Sequence, residues 1–179
     1  MLSQTRQNLT DTRLRPALKY EEILEMDMPN LVPMTVPEFD AFLARAIPQY
    51  AEGKIKAGNW IESEALENSK KEYAELLPQG LESIDNCLYT LHDGSDAVGL
   101  IWMKINRAAN KAFICDLHCE EGFRGKGYGK VLMLLLEDEA REMGLKSLGL
   151  HVFGYNHVAR NLYESIGYEI TNVNMSKTL

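Results

Sequence analysis

The sequence predicts a mixed α/β sheet with a βαβ-type core, and three observations carry that reading. Strand-like and helix-like runs alternate through the second half of the chain. A glycine-rich bend, "FRGKGYGK", separates a strand-like run from a leucine-rich helix. The 179 residues are 45% apolar, enough for one core, so a single domain is the simplest reading.

Each element follows from local chemistry. Order is expected to begin at "NLVPM". Thr35, with Glu38 three residues on, makes a capping box for a helix whose apolar side is Phe39, Phe42, Leu43 and Ala46. Pro48 is expected to kink or break that helix, leaving a second piece in "QYAEGKIKAG". A further helix is expected from about Ser63 to Leu77, before "LPQG". "CLYTLHD" and "AVGLIWMKI" then read as strands around the hairpin turn "DGSD", with "KAFICDLHC" as a third strand. The glycines come next, followed by a helix from about Gly127 to Met143 with an apolar stripe of Val131, Leu132, Leu135 and Leu136. Gly144 stands at its stop. "SLGLHVF" reads as a strand, and Asn156 caps a helix with Ala159, Leu162, Tyr163 and Ile166 on its inner face. Gly167 ends that helix, and "YEITNVNMSK" is expected as a final strand.

Composition narrows the function. The net charge of −7 argues against a broad nucleic-acid surface. No apolar run approaches the ~20 residues of a membrane span. Three cysteines, an odd number without Cys-x-x-Cys, argue against a secreted disulfide framework, so a reducing cytoplasm is the default expectation. The first twenty residues loosely resemble a transit peptide, but Asp11 counts against it. Residues 1–30 are read as a flexible or loosely docked extension, and 31–179 as the domain. Metal binding is not expected: on a regular strand Cys115 and Cys119 share a face while His118 points away.

The glycines need a reason, because three in five residues are costly in any regular element. Between a strand and a helix they expose N–H groups at the positive end of the helix dipole, where a phosphate can settle on the amides. Arg124 and Lys126 add positive charge. The bland alternative is a turn that only reverses the chain. A Walker A loop fails, because Tyr128 follows Gly127 and Val131 follows the Gly129-Lys130 pair. A dinucleotide-binding fingerprint fails as well, because Gly125, Gly127 and Gly129 are spaced Gly-x-Gly-x-Gly.

Arg124, Gly127 and Gly129 instead resemble the Arg/Gln-x-x-Gly-x-Gly/Ala signature of the GNAT N-acetyltransferases. "NHVARNLYESIGYEI" is similar to the family's second signature at Asn156, Ala159, Leu162, Tyr163, Gly167 and Tyr168. The resemblance covers residues from about 31 to the end and looks like a bacterial subgroup. It implies the GNAT fold: a mixed central sheet, helices on both faces, and a splayed strand pair at the cofactor cleft. It implies acetyl-CoA as cosubstrate and a primary amine, from a small molecule or a peptide, as acceptor. The protein is expected as monomer or homodimer, with no nucleic-acid or membrane partner.

Site residues follow from the same resemblance. The backbone of Leu117 and Cys119 would hold the pantetheine arm, and the N–H groups of Gly125, Lys126, Gly127, Tyr128, Gly129 and Lys130 the pyrophosphate, with Arg124 at the rim. Asn156 would contact the arm from the other side. Tyr163 stands where relatives place the acid for the departing thiolate. An alkylamine has pKa ~10.4, so a base must remove a proton before attack. Relatives often carry an acidic base where this chain has Phe113. His151 is the first candidate to replace it, since imidazole titrates near neutrality. Asp116 is the second, as base or as a carboxylate for the acceptor's ammonium, with His118 and Glu120 behind it. Tyr50, Trp60 and Tyr73 are read as either core or acceptor pocket. The missing acid keeps open a CoA-binding module without turnover, and a short motif does not forbid another acyl group.

Overall fold

The computed structural model describes residues 28–175 and Lys177. The extension expected over residues 1–30 therefore lies, up to residue 27, outside the described residues. Five strands form one sheet in the order β1 (Asn30–Pro33), β2 (Asn86–Asp93), β3 (Asp96–Asn106), β4 (Lys111–Cys119), β5 (Ser147–Leu150). The first four pair antiparallel, and β4 pairs with β5 in parallel. Helices α1 (Val36–Lys56) and α2 (Glu62–Leu76) precede the central hairpin, α3 (Tyr128–Glu142) connects β4 to β5, and α4 (His157–Ser165) follows β5.

Two apolar clusters flank the sheet. One is built on Ile101, Met103, Ile114, Leu132 and Leu136, with α3 as its cover. The other joins Phe42 and Tyr73 of α1 and α2 to Leu88, Leu100 and Trp102. Alternation along β3 sends Ile101 and Met103 to one face and Leu100 and Trp102 to the other. All five of the largest side chains in this central set, Trp102, Phe42, Ile101, Met103 and Leu132, are almost wholly buried.

The structure departs from the sequence reading in four places. Pro48 does not break the first helix, which runs unbroken from Val36 to Lys56. Packing on both sides of the proline, by Phe42 and Ala46 before it and Ala51 after it, outweighs the lost backbone bond. The buried Ser69 hydroxyl of α2 also donates to the Ile47 carbonyl at 2.7 Å. The short β1 was not anticipated; its four residues hold Pro33, which an edge strand tolerates. The strand expected in "YEITNVNMSK" is absent: Tyr168–Met175 has no regular structure. Its side-chain pattern suits a strand, but a strand needs a partner edge.

The fourth departure matters most. The β3–β4 register passes from Met103–Ile114 to Trp102–Asp116, so Cys115 is an extra residue, a β-bulge. The bulge reverses the alternation beyond it. Leu117 and Cys119 therefore pack with the α3 cluster, while Cys115 packs with the α1–α2 cluster. Cys115 and Cys119 thus lie on opposite faces, not on one. Asp116 turns toward α1, where a regular strand would have pointed it at α3.

Candidate active site

Strands β4 and β5 are paired only from Lys111–Ser147 to Ile114–Leu150. Past Ile114 the bulge bends β4, and β5 ends at Leu150. The two chains part there. The Glu120 N–H bonds back to the Val98 carbonyl on β3. Strand alternation then turns the N–H and C=O groups of Leu117 and Cys119 the other way, into the opening. The Arg124 Nε donates to the Cys119 carbonyl at 3.0 Å, which anchors the loop after β4 to the end of that strand.

The glycines of this loop divide the labour. Gly125 and Gly127 have φ of +73° and +93°, a region costly for any residue with a Cβ. Gly127 is the N-cap of α3, and the Lys130 and Val131 N–H groups both close on its carbonyl. Ahead of them, the Tyr128 and Gly129 amides have no acceptor inside the helix. Gly129 serves packing instead: a Cβ there would stand 3.1 Å from Leu162 Cδ2 of α4. The Tyr128 phenol donates to Asp93 Oδ2, tying the start of α3 to the β2–β3 turn. Side-chain-free, left-handed backbone at a helix N-terminus, with Arg124 and Lys126 adjoining, fits a pyrophosphate in shape and charge. The outward amides of Leu117 and Cys119 fit a strand-like arm.

Beyond the opening lies a cavity of about 480 Å³. Its lining joins the predicted Asp116, His151, Tyr163, Asn156 and Leu117 to Arg45, Tyr50, Glu72, Tyr73, Phe153 and Tyr155. Of the three aromatics left open by the sequence, Tyr50 and Tyr73 line the cavity, and Trp60 braces Tyr50 edge-on with ring centres 5.5 Å apart. Arg45 and Glu72 were missed. The Arg45 Nη2 lies 2.9 Å from Asp116 Oδ2, and Tyr50 Oη donates to Glu72 Oε2 at 2.8 Å. On α1, Phe42 and Arg45 share a face at i,i+3, but only the fold shows that this face meets Asp116.

The predicted residues differ in setting. Burial, reinforced by the charges of Asp116 and Cys119, pushes the Tyr163 phenol up to about 12. His151 is exposed and meets Phe153 edge-on, with ring centres 5.2 Å apart. The Asn156 side chain caps α4 by accepting from the Ala159 N–H at 3.2 Å. His118 is drawn below its usual value by burial and by Arg45, and it does not line the cavity. Phe113, at the position of the absent acid, does line it.

A glycine turn at a helix N-terminus beside a split parallel strand pair is the arrangement expected of an acyltransferase. Residues 56–168 match the model of the Acetyltransferase (GNAT) family. The chain is 41% identical over 152 residues to the uncharacterised N-acetyltransferase YycN of Bacillus subtilis, covering 83% of this chain and 97% of that protein. It is 35% identical over 153 residues to YdgE of the same organism, covering 84% and 98%. The crystal structure of YycN superposes with a TM-score of 0.81, covering 85% of this chain and 99% of the other. A PaiA N-acetyltransferase from Thermoplasma acidophilum, solved with coenzyme A, shares the fold at 19% identity with a TM-score of 0.62, covering 83% and 94%. The chain belongs to the GNAT family and is an acetyl-CoA-dependent acyltransferase.

Proposed function

We propose that the protein acetylates a primary amine that enters the aromatic cavity under α1 and α2. One observation carries this: two carboxylates, Glu72 and Asp116, share that cavity with Tyr50, Tyr73, Phe153 and Tyr155. Ring faces and carboxylates both attract an ammonium group. A volume of about 480 Å³ suits a small amine or a chain end rather than a folded surface.

Acetyl-CoA supplies an activated acyl group and a thiolate leaving group, and the residues of the chain supply position and proton transfer. Gly125 to Lys130 hold the pyrophosphate, and Leu117, Cys119 and Asn156 guide the arm. Asp116, steadied by Arg45, receives the acceptor's ammonium. His151 takes the proton that must leave before attack, directly or through water. Tyr163 keeps its proton well above neutrality. A thiol has pKa ~8.5. The phenol is thus the weaker acid: it hydrogen-bonds the sulfur as the N–C bond forms and the C–S bond breaks, and the thiolate takes up the second proton shed by the acylated nitrogen.

The test is thiol release from acetyl-CoA over a panel of amines, with Glu72→Gln and Asp116→Asn beside the unaltered protein. Both variants should raise the acceptor KM at least tenfold with acetyl-CoA affinity unchanged. Unchanged acceptor KM in both would remove the cavity as the acceptor site.

A further inference from the structure

Besides His151, the cavity under α1 and α2 takes four charged side chains into its lining: Arg45, Lys54, Glu72 and Asp116. Two are cations and two are anions, so together they carry no formal net charge. Three of them have polar partners. Arg45 holds Asp116 at 2.9 Å and Gln49 at 2.8 Å, and Glu72 accepts from Tyr50 Oη at 2.8 Å. Lys54 differs. Among the described residues it has no ion-pair partner, and its Nζ stands over the rings of Tyr50 and Trp60, 5.0 Å from each centre. Ring faces hold an ammonium in place without neutralising it. The half-buried Lys54 thus presents a positioned, uncompensated cation to the same cavity as the two carboxylates.

An acceptor that is only a cation would bring into this cavity a charge that the lining does not offset, and an unpaired charge is costly out of water. An acceptor with its own carboxylate adds none. We infer that the acceptor is a free amino acid, whose ammonium meets Asp116 and Glu72 and whose carboxylate pairs with Lys54. This rests on the reading of the cavity as the acceptor site.

One carboxylate balances Lys54, whereas a phosphate monoester, at about −1.5 to −2, would leave a surplus. Spacing sets the length. Arg45 reaches one turn forward on α1 to Gln49, and Lys54 bends one turn back to Tyr50. Their charged ends are therefore about one to two turns apart, about 5–10 Å. An ion pair takes about 3 Å at each end. What remains spans a short spacer, as in an α- or β-amino acid. The Tyr73, Phe153 and Tyr155 rings line the same space and suit an apolar body. A peptide N-terminus carries an uncharged amide where the free amino acid has its carboxylate, and it leaves Lys54 unpaired. Lys54 therefore selects a small molecule over a chain end.

The test is thiol release from acetyl-CoA with phenylalanine, leucine and β-alanine, each beside its carboxamide, and with 1,3-diaminopropane beside β-alanine. At least one amino acid should exceed its carboxamide at least tenfold in kcat/KM. Lys54→Met should bring that ratio to within about twofold of one, and Lys54→Glu should make the diamine a better acceptor than β-alanine. Differences in amine basicity are common to all three proteins and cancel in the comparison. A ratio near one in the unaltered protein overturns the inference, and so does a ratio that survives in Lys54→Met. Calorimetry on the complex with CoA reads the same preference as a ratio of dissociation constants, so absent turnover does not shelter it: no binding by any of the amino acids overturns it too. Glu72→Gln and Asp116→Asn separate the two readings. If acceptor KM ignores both, the acceptor cavity falls and this inference with it. If KM depends on them but the carboxylate is indifferent, this inference falls alone. The ratios in the unaltered protein and in Lys54→Met decide even if Lys54→Glu does not fold.

Discussion

The Arg45 guanidinium of α1 holds the Asp116 carboxylate of β4 at 2.9 Å, and both side chains are only about one-fifth exposed, at 20% and 21%. The contact crosses from a helix to the sheet and exists because the bulge at Cys115 turns Asp116 toward α1. Breaking one partner strands a half-buried charge. Arg45→Met should cost about 1–2 kcal/mol in urea unfolding, between surface and buried ion pairs. Arg45→Met with Asp116→Asn should cost less than the two separate losses added together. Additive losses would show that the pair does not act as a unit.

Tyr163→Phe should lower kcat at least tenfold while acetyl-CoA affinity, by calorimetry, stays within about twofold. Equal turnover would remove Tyr163 from the mechanism. Its phenol also leaves a signature in stability. The folded value, about 12, is raised above the ordinary 10. The neutral form is the one the fold favours, so its contribution is complete below pH 10 and is lost as pH rises from 10 toward 12. The unaltered protein should lose stability faster than Tyr163→Phe across that window in alkaline denaturation.

The two kinds of glycine near α3 should respond unequally to alanine. Gly127→Ala forces a Cβ into φ +93° and should cost about 1–2 kcal/mol, with weaker acetyl-CoA binding. At Gly129 the helix gains up to ~1 kcal/mol from alanine, against a contact with the mobile end of Leu162. Gly129→Ala should change stability by less than about 0.5 kcal/mol, and Gly129→Leu should cost about 2–3 kcal/mol by overpacking. Chemical denaturation reads all three. Gly127→Glu should abolish acetyl-CoA binding in a folded protein, as thermal shift would register.

Gly53 lies inside α1, where alanine would ordinarily favour the helix. A Cβ there would meet Phe153 Cε2 at 2.7 Å, so the glycine seats a ring that walls the cavity proposed for the acceptor. Gly53→Ala should displace Phe153 and change the acceptor KM severalfold, leaving acetyl-CoA affinity intact. An unaltered KM would show that Phe153 does not shape acceptor binding.

His118 is held below its ordinary value by burial and by Arg45. Its folded value is depressed, so the stability it contributes is present above about pH 6.5 and is lost as pH falls below that. His118→Gln should flatten the acid side of the stability profile. An identical profile would place the acid sensitivity elsewhere, for example at the Glu38–His92 pair, 3.6 Å apart.

What could be read in advance was local. Left-handed glycines, the capping box at Thr35 and Glu38, the Asn156 cap and the apolar stripe of α3 depend on neighbours within a turn or two of chain. They located the glycine turn before α3, and through it the family. What escaped depends on partners far along the chain. The Cys115 bulge is a mismatch between two strands, visible in neither alone, yet it decides which face receives Asp116. Pro48 sits mid-helix on an exposed face because the neighbouring Phe42, Ala46 and Ala51 are buried and Ser69 of α2 donates to the Ile47 carbonyl. The cavity under α1 and α2 takes Arg45 and Glu72 from two helices and Asp116 from a strand. Tyr168–Met175, read from its residues as a strand, pairs with no strand among the described residues. The sequence by itself determined the glycine turn and the start of α3, because the φ of a glycine and the cap of a helix are settled by short-range sterics and hydrogen bonds. Only the tertiary structure decided which side chains meet in the cavity under α1 and α2, because register and face are settled by pairing between distant strands.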